Sequence, residues 1–173
     1  MVSEALDYPW YALTSGPALE QGDLLPNTPR FIVPPGPLAE GATVSVSAEL
    51  VHAIVVSQSC DLVARKIDDV AFCPIYERSE LPDQKPETWN RFRRGEHYRY
   101  HLLNRCELEG LTRDFTIVDL AKVFTLPFEF ATEHARSQGR RLRLQPPYRE
   151  HLAQSFARFY MRIGLPIDIP AFR

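Results

Sequence analysis

The sequence predicts a mainly β chain with α decoration, a small, curved, mostly antiparallel barrel carrying a C-terminal amphipathic helix. Three observations predict it. Short apolar runs of strand length follow one another through most of the 173 residues. Turn residues, among them 15 prolines, separate these runs. The last of the long segments, "YREHLAQSFARFYMRIG", instead repeats its apolar residues at helical spacing. The chain is 45% hydrophobic and 24% charged, ordinary globular usage for one domain with a full core.

In chain order, residues 1–20 form an N-terminal arm, with Tyr8, Trp10 and Tyr11 as aromatic anchors onto the body. Residues 21–166 make a single barrel domain with an insertion at 78–96, and 167–173 a tail. "EQGDLL" opens a first short strand. "LLPNTPRFIVPPGPLAEG" follows, read as a long, semi-rigid loop because proline lacks the amide donor and fixes φ. "ATVSVSAEL" alternates as a strand ending near Leu50. "VHAIVVSQ" is a continuous apolar run, expected for a strand covered on both faces. "DDVAFCPIYE" is another strand, broken at Pro74, with Asp68 and Asp69 at a solvated hairpin tip. The insertion holds one short helix from about Glu87. "HYRYHLLNR" reads as a strand, and "RDFTIVDLAKVFTLP" as one or two more, ended by Pro127. "FEFATEHARSQ" is a short helix closed by Gly139. In the terminal helix, Leu152, Phe156, Phe159 and Ile163 form one apolar stripe that packs across the sheet. Arg149, Glu150, Gln154, Arg158 and Arg162 cover its other faces, and Gly164 with Pro166 stops it.

Composition excludes several function classes. A net charge of -2 supplies no global field toward nucleic acid or anionic membrane, so such binding needs a local patch. No apolar run approaches the roughly 20 residues of a membrane span, and the N-terminus lacks the order of a secretory signal. Three unevenly spaced cysteines argue against a disulfide framework and for a reducing cytosol. No Cys/His knuckle or paired carboxylate motif implies a metal, and no motif implies a cofactor.

Two stretches stand out chemically. The first is Ser57, Gln58, Ser59, Cys60 and Asp61, five polar or thiol residues directly after the buried strand. Cys60 is a candidate nucleophile if a base lowers its pKa. His52 does not supply it: it lies eight residues back on the same strand, more than about 20 Å at the usual rise. His97 or His101 remain as bases, and the bland alternative is a small buried hydrophobe. Ser57, Gln58, Ser59 and Asp61 form either turn wiring or a pocket rim. The second stretch, Lys85 to Arg105, interleaves Arg91, Arg93, Arg94, Arg99 and Arg105 with Trp89, Phe92, Tyr98 and Tyr100. Cations track phosphates and flat rings stack bases, so this pattern suits single-stranded nucleic acid. The alternative is a solvated helix beside an edge strand whose rings face inward. A further basic run, with Arg136, Arg140, Arg141, Arg143 and Arg149, reads as a loop facing an acidic partner or solvent.

Gly22-Asp23-Leu24-Leu25, "AIVVSQSCD" followed by "VAFCPIYE", and "FTIVDLAKVFTLP" followed by "RIGLP" stand in the order seen in the MazF/PemK family of endoribonuclease toxins, which the chain resembles over roughly residues 19–166. The resemblance implies an SH3-like barrel, often a homodimer, with single-stranded RNA in a groove. In that family an Arg before the apolar strand and a Thr ending the next one carry the chemistry. Their places fall here at Val51-His52 and Tyr76, so neither identity is kept. The expectation is therefore a cytoplasmic binding or regulatory module of a bacterial toxin–antitoxin-like stress or defence system. Its partner would be single-stranded RNA or a protein encoded nearby, met by Ser57, Gln58, Ser59, Asp61, Trp89, Arg91, Arg93 and Arg94. Two enzyme alternatives are an RNA endonuclease using His52 and Tyr76 with the arginines at 91–94, and a thiol enzyme built on Cys60.

Overall fold

A computed structural model describes residues 9–37, 39–81 and 84–161. Tyr8, Arg162, Ile163, Gly164 and Pro166, and with them the tail, lie outside the described residues. The chain is mainly β, as its patterning predicts. Eight strands are β1 (Tyr11–Thr14), β2 (Leu24–Ile32), β3 (Ser47–Val55), β4 (Asp69–Glu77), β5 (Tyr100–Leu103), β6 (Thr116–Asp119), β7 (Phe124–Pro127) and β8 (Arg141–Leu144). Four helices accompany them: α1 (Ser59–Val63), α2 (Pro86–Arg93), α3 (Phe128–Gln138) and α4 (Tyr148–Tyr160).

All pairings are antiparallel. The main sheet runs β2-β3-β4-β6-β5, with β7 also on β4, while β1 pairs β8. β8 lies along the start of β2, because Asp23 bridges Arg143 and the Leu144 amide donates to the Gly22 carbonyl at 3.0 Å. β6 and β7 act as one long strand against β4. Ile75 faces Val118 and Phe72 faces Phe124, and the surplus on the second side is the 3-10 turn Leu120–Lys122. Among the described residues the ladder does not close into a barrel. Its ends meet through a side chain, the Tyr11 hydroxyl donating to the Asn104 carbonyl at 2.6 Å.

The sheet is covered on both faces. Ile54, Val56, Cys73, Ile75 and Val118 point into one core with Leu142, Leu144 and Leu152 of α4. Ala53, Val55, Val70 and Phe72 point into the other, with Phe128, Ala131 and Ala135 of α3 and Leu62 of α1. This is why "AIVV" shows no alternation: both parities are buried. The predicted stripe on α4 packs as expected at Leu152, Phe156 and Phe159.

Four readings of the sequence need correction. Residues 24–32 are a strand, although Pro26 and Pro29 lie within it. β2 is an edge of the main sheet, where a missing donor is tolerated. A bulge between Leu25 and Thr28 takes up Pro26 and Asn27, the latter at φ 50°. The two strands expected on either side of Leu50 are one, β3, beginning at Ser47. β4 runs unbroken through Pro74, where pairing on one side ends at Ala53 and pairing on the other passes from Phe72 to Ile75. Proline's absent amide therefore interrupts no ladder there. Finally, Arg141 and Arg143 sit on β8 and face inward to carboxylates of the same chain, not outward from a loop.

The arm docks as expected at Trp10 and Tyr11. Trp10 stacks on Tyr148 with centroids 3.7 Å apart, and Tyr11 is buried with its hydroxyl pKa raised by desolvation.

Candidate functional site

The turn after β3 divides its five residues between two tasks. Ser57 Oγ accepts from the Ala71 amide at 2.8 Å, and Ser59 Oγ accepts from the Gln21 amide at 3.1 Å. Gln21 in turn donates its side-chain amide to the Val56 carbonyl at 2.9 Å. These are wires that hold the turn to β4 and to the strand entrance. Gln58 and Cys60 are exposed and, with Ser59, border a hollow of about 360 Å³ completed by Gln21, Arg149, Glu150, Ala153 and Gln154. Cys60 Sγ lies 3.8 Å from Asp61 Oδ1, within its own turn. No imidazole lines this hollow, so the histidines considered as bases for Cys60 are not brought to it.

His52 and Tyr76 are not brought together either. His52 shares the parity of Ile54 and Tyr76 that of Phe72, so the two project from opposite faces of the sheet. His52 stands opposite the β2 bulge, with its buried Nδ1 unpartnered among the described residues. Tyr76 instead receives a hydrogen bond from Lys122 Nζ at 3.3 Å, and the ammonium lies 5.4 Å from its ring centroid.

Around Tyr76 the structure assembles a surface from β4, α2, β5 and the 3-10 turn Leu120–Lys122. Arg99 grips the buried Asp119 through two bonds of 2.9 and 2.8 Å and lies 5.0 Å over the Tyr100 ring. The hydrogen bonds to Asp119 raise the Arg99 pKa, so its charge is permanent. Asp119 also caps the 3-10 turn by accepting from the Ala121 amide. Arg78 lies 4.9 Å over the Trp89 ring. Trp89 meets Phe92 edge-on at 5.2 Å, and Phe92 meets Tyr100 edge-on at 5.6 Å. Of the insertion's rings only Phe92 is fully buried; it is the apolar pin that fastens α2 to β5. Arg91, Arg93 and Arg94 are exposed. Glu96 neutralises Arg94 through bonds of 2.6 and 2.9 Å.

The structure adds a charge network absent from the sequence reading. Asp23, fully buried, accepts from Arg141 at 3.0 Å and from Arg143, which also bonds Glu20. Arg141, also buried, spends its other donors on the Gly16 and Ala18 carbonyls at 2.7 and 2.6 Å. The network ties the arm, the β2 entrance and β8 together. Its only sequence signal was the alternation "RLRL", which places both arginines on one face of a strand.

The sequence also missed a cleft of about 430 Å³ between α4 and the α2–β5 segment, where Ser155 Oγ lies 3.0 Å from His101 Nδ1. Burial lowers the His101 pKa to about 4, and His151 adds to the shift.

Among the described residues no group of three or more His, Cys, Asp or Glu is placed to hold a metal ion, and no helix is long and apolar enough to cross a membrane. No protein-family model matches the chain, and no curated protein matches it.

Proposed function

We propose that this protein binds single-stranded RNA without cutting it, as a MazF/PemK-like, SH3-like barrel serving as a cytoplasmic regulatory module in a bacterial stress or defence system. One observation carries the binding reading: cations lie over rings on adjoining elements, Arg78 on Trp89 and Lys122 on Tyr76, beside Tyr100 under Arg99, whose charge Asp119 already holds. Unpaired bases need flat faces, and the phosphates between them need fixed positive charge. Exposed Arg91 and Arg93 extend that charge along α2. The non-cutting reading is supported by the separation of His52 from Tyr76 onto opposite faces. The family reading draws on the order of its motifs and on the antiparallel sheet with α4 packed against it.

The test is a gel shift with labelled single-stranded RNA in chelator. The reading expects a shift that weakens steeply as salt rises, with intact RNA. It expects Arg91→Glu with Trp89→Ala to abolish that shift while the circular dichroism spectrum stays unchanged. No shift at low salt would overturn RNA binding. Cleavage that disappears in His52→Ala would replace it with the endonuclease.

A further inference from the structure

The cleft beside α4 carries charge of one sign. Arg93 reaches it from α2 and Arg158 from α4, while no carboxylate is among its described lining residues. Arg94 also lines it but is committed to Glu96. Neither Arg93 nor Arg158 has a carboxylate partner among the described residues. An anion entering the cleft therefore meets guanidinium donors that no acid among the described residues occupies, and each charge-assisted bond it forms is of the strong class.

The second ingredient is aromatic. Trp10 and Tyr148 line the same cleft, stacked at 3.7 Å and within 11° of parallel. The Gln145 amide donates to the Trp10 carbonyl at 2.9 Å, which anchors the backbone beneath the stack. A ring platform held by the fold loses little freedom when another flat group joins it.

Charge count selects among anions. A phosphomonoester carries about -1.5 to -2 at neutral pH, against -1 for a phosphodiester inside a strand. Two guanidiniums without a carboxylate partner among the described residues match the doubly charged group. The volume of about 430 Å³ lies within the range of small-ligand sites.

We propose that this cleft binds a nucleotide through its terminal phosphomonoester, with Arg93 and Arg158 holding the phosphate and the Trp10–Tyr148 stack receiving the base. The group has two sources, a free mononucleotide or the phosphorylated end of an RNA strand; only the second rests on the RNA-binding reading.

Isothermal titration calorimetry on the full chain separates them. The ligands are nucleoside 5′-monophosphates, the matching nucleosides, inorganic phosphate, and short oligoribonucleotides with 5′-phosphate or 5′-hydroxyl ends. The monophosphate or the 5′-phosphorylated oligonucleotide is expected to bind at least tenfold tighter than its dephosphorylated form. It should also bind tighter than inorganic phosphate alone. Arg158→Ala and Arg93→Ala should each weaken it by roughly tenfold or more. Both arginines are exposed, so both variants keep the fold. Tighter binding of the mononucleotide names a free effector, and tighter binding of the phosphorylated oligonucleotide names an RNA end. Equal binding with and without the phosphate, equal binding by inorganic phosphate, or no effect of either substitution overturns the proposal. Loss of the nucleotide isotherm with the RNA gel shift intact overturns this cleft alone; the converse result overturns only the RNA-binding surface.

Discussion

Replacing Asp23 by Ala should be among the most destabilising single changes in this protein. Asp23 is fully buried and accepts from Arg141 at 3.0 Å, from Arg143 Nη2 at 2.9 Å and from the Glu20 amide at 3.3 Å. Removing its carboxylate leaves the Arg141 guanidinium buried with only the Gly16 and Ala18 carbonyls to face it. Breaking such a pair from one side costs about 3–5 kcal/mol, because an uncompensated charge stays behind. With a urea m-value of roughly 2 kcal/mol/M, the unfolding midpoint should fall by about 2 M. Replacing both partners, Asp23→Leu with Arg141→Met, should recover much of that loss, since no buried charge remains. Arg143 keeps Glu20 as its partner in that variant. The readout is equilibrium urea unfolding followed by far-UV circular dichroism. A midpoint shift below about 0.5 M for the single variant, or a double variant no more stable than the single, would refute the account.

Further outcomes follow from other sites. The His101 imidazole protonates near pH 6.5 when unfolded but only at about 4 in place, so the unfolded state binds more protons between those values. Stability is therefore full above pH 6.5 and falls toward pH 4, by up to about 3 kcal/mol. Of the groups lining the same cleft, His151 opposes a charge on His101. His101→Asn should flatten the urea midpoint against pH over that window, and an unchanged slope would sink the assignment. At Gly22, φ is +88° and an added Cβ would lie 2.8 Å from Leu144 Cβ, so Gly22→Ala should cost about 1–3 kcal/mol, read as a lower melting temperature. Leu152→Ala removes a fully buried contact of α4 with the sheet and should cost about 2–5 kcal/mol in the same assay.

Much of the element order was legible before any coordinates. α2, α3 and α4 announce themselves through a proline at or just before the start of each, Pro86, Pro127 and Pro147, and apolar residues spaced to make one face. The continuous run "AIVV" marked a strand covered on both sides, and that burial is what the two cores supply. Proline misled twice. Whether it breaks a strand depends on whether a neighbour asks for its amide, and at Pro26, Pro29 and Pro74 none does. The polar turn at 57–61 was visible as a cluster. Its division into wires, Ser57 and Ser59, and surface, Gln58 and Cys60, was not, because the amides they serve come from residues 14 and 38 positions away.

By itself the sequence determined the class of this protein, a mainly β chain with an amphipathic helix at its end, because hydrophobic periodicity is a local property written into neighbouring residues. Tertiary structure alone decided which charges are spent and which are offered. Arg141 and Arg143 look in sequence like Arg93 and Arg158, yet the first pair is consumed by Asp23 and Glu20 more than a hundred residues away. The second pair lines a cleft with no acid among its described lining residues. Coulomb attraction acts through space and not along the chain, so the fate of each arginine waited on which carboxylate the fold brought beside it.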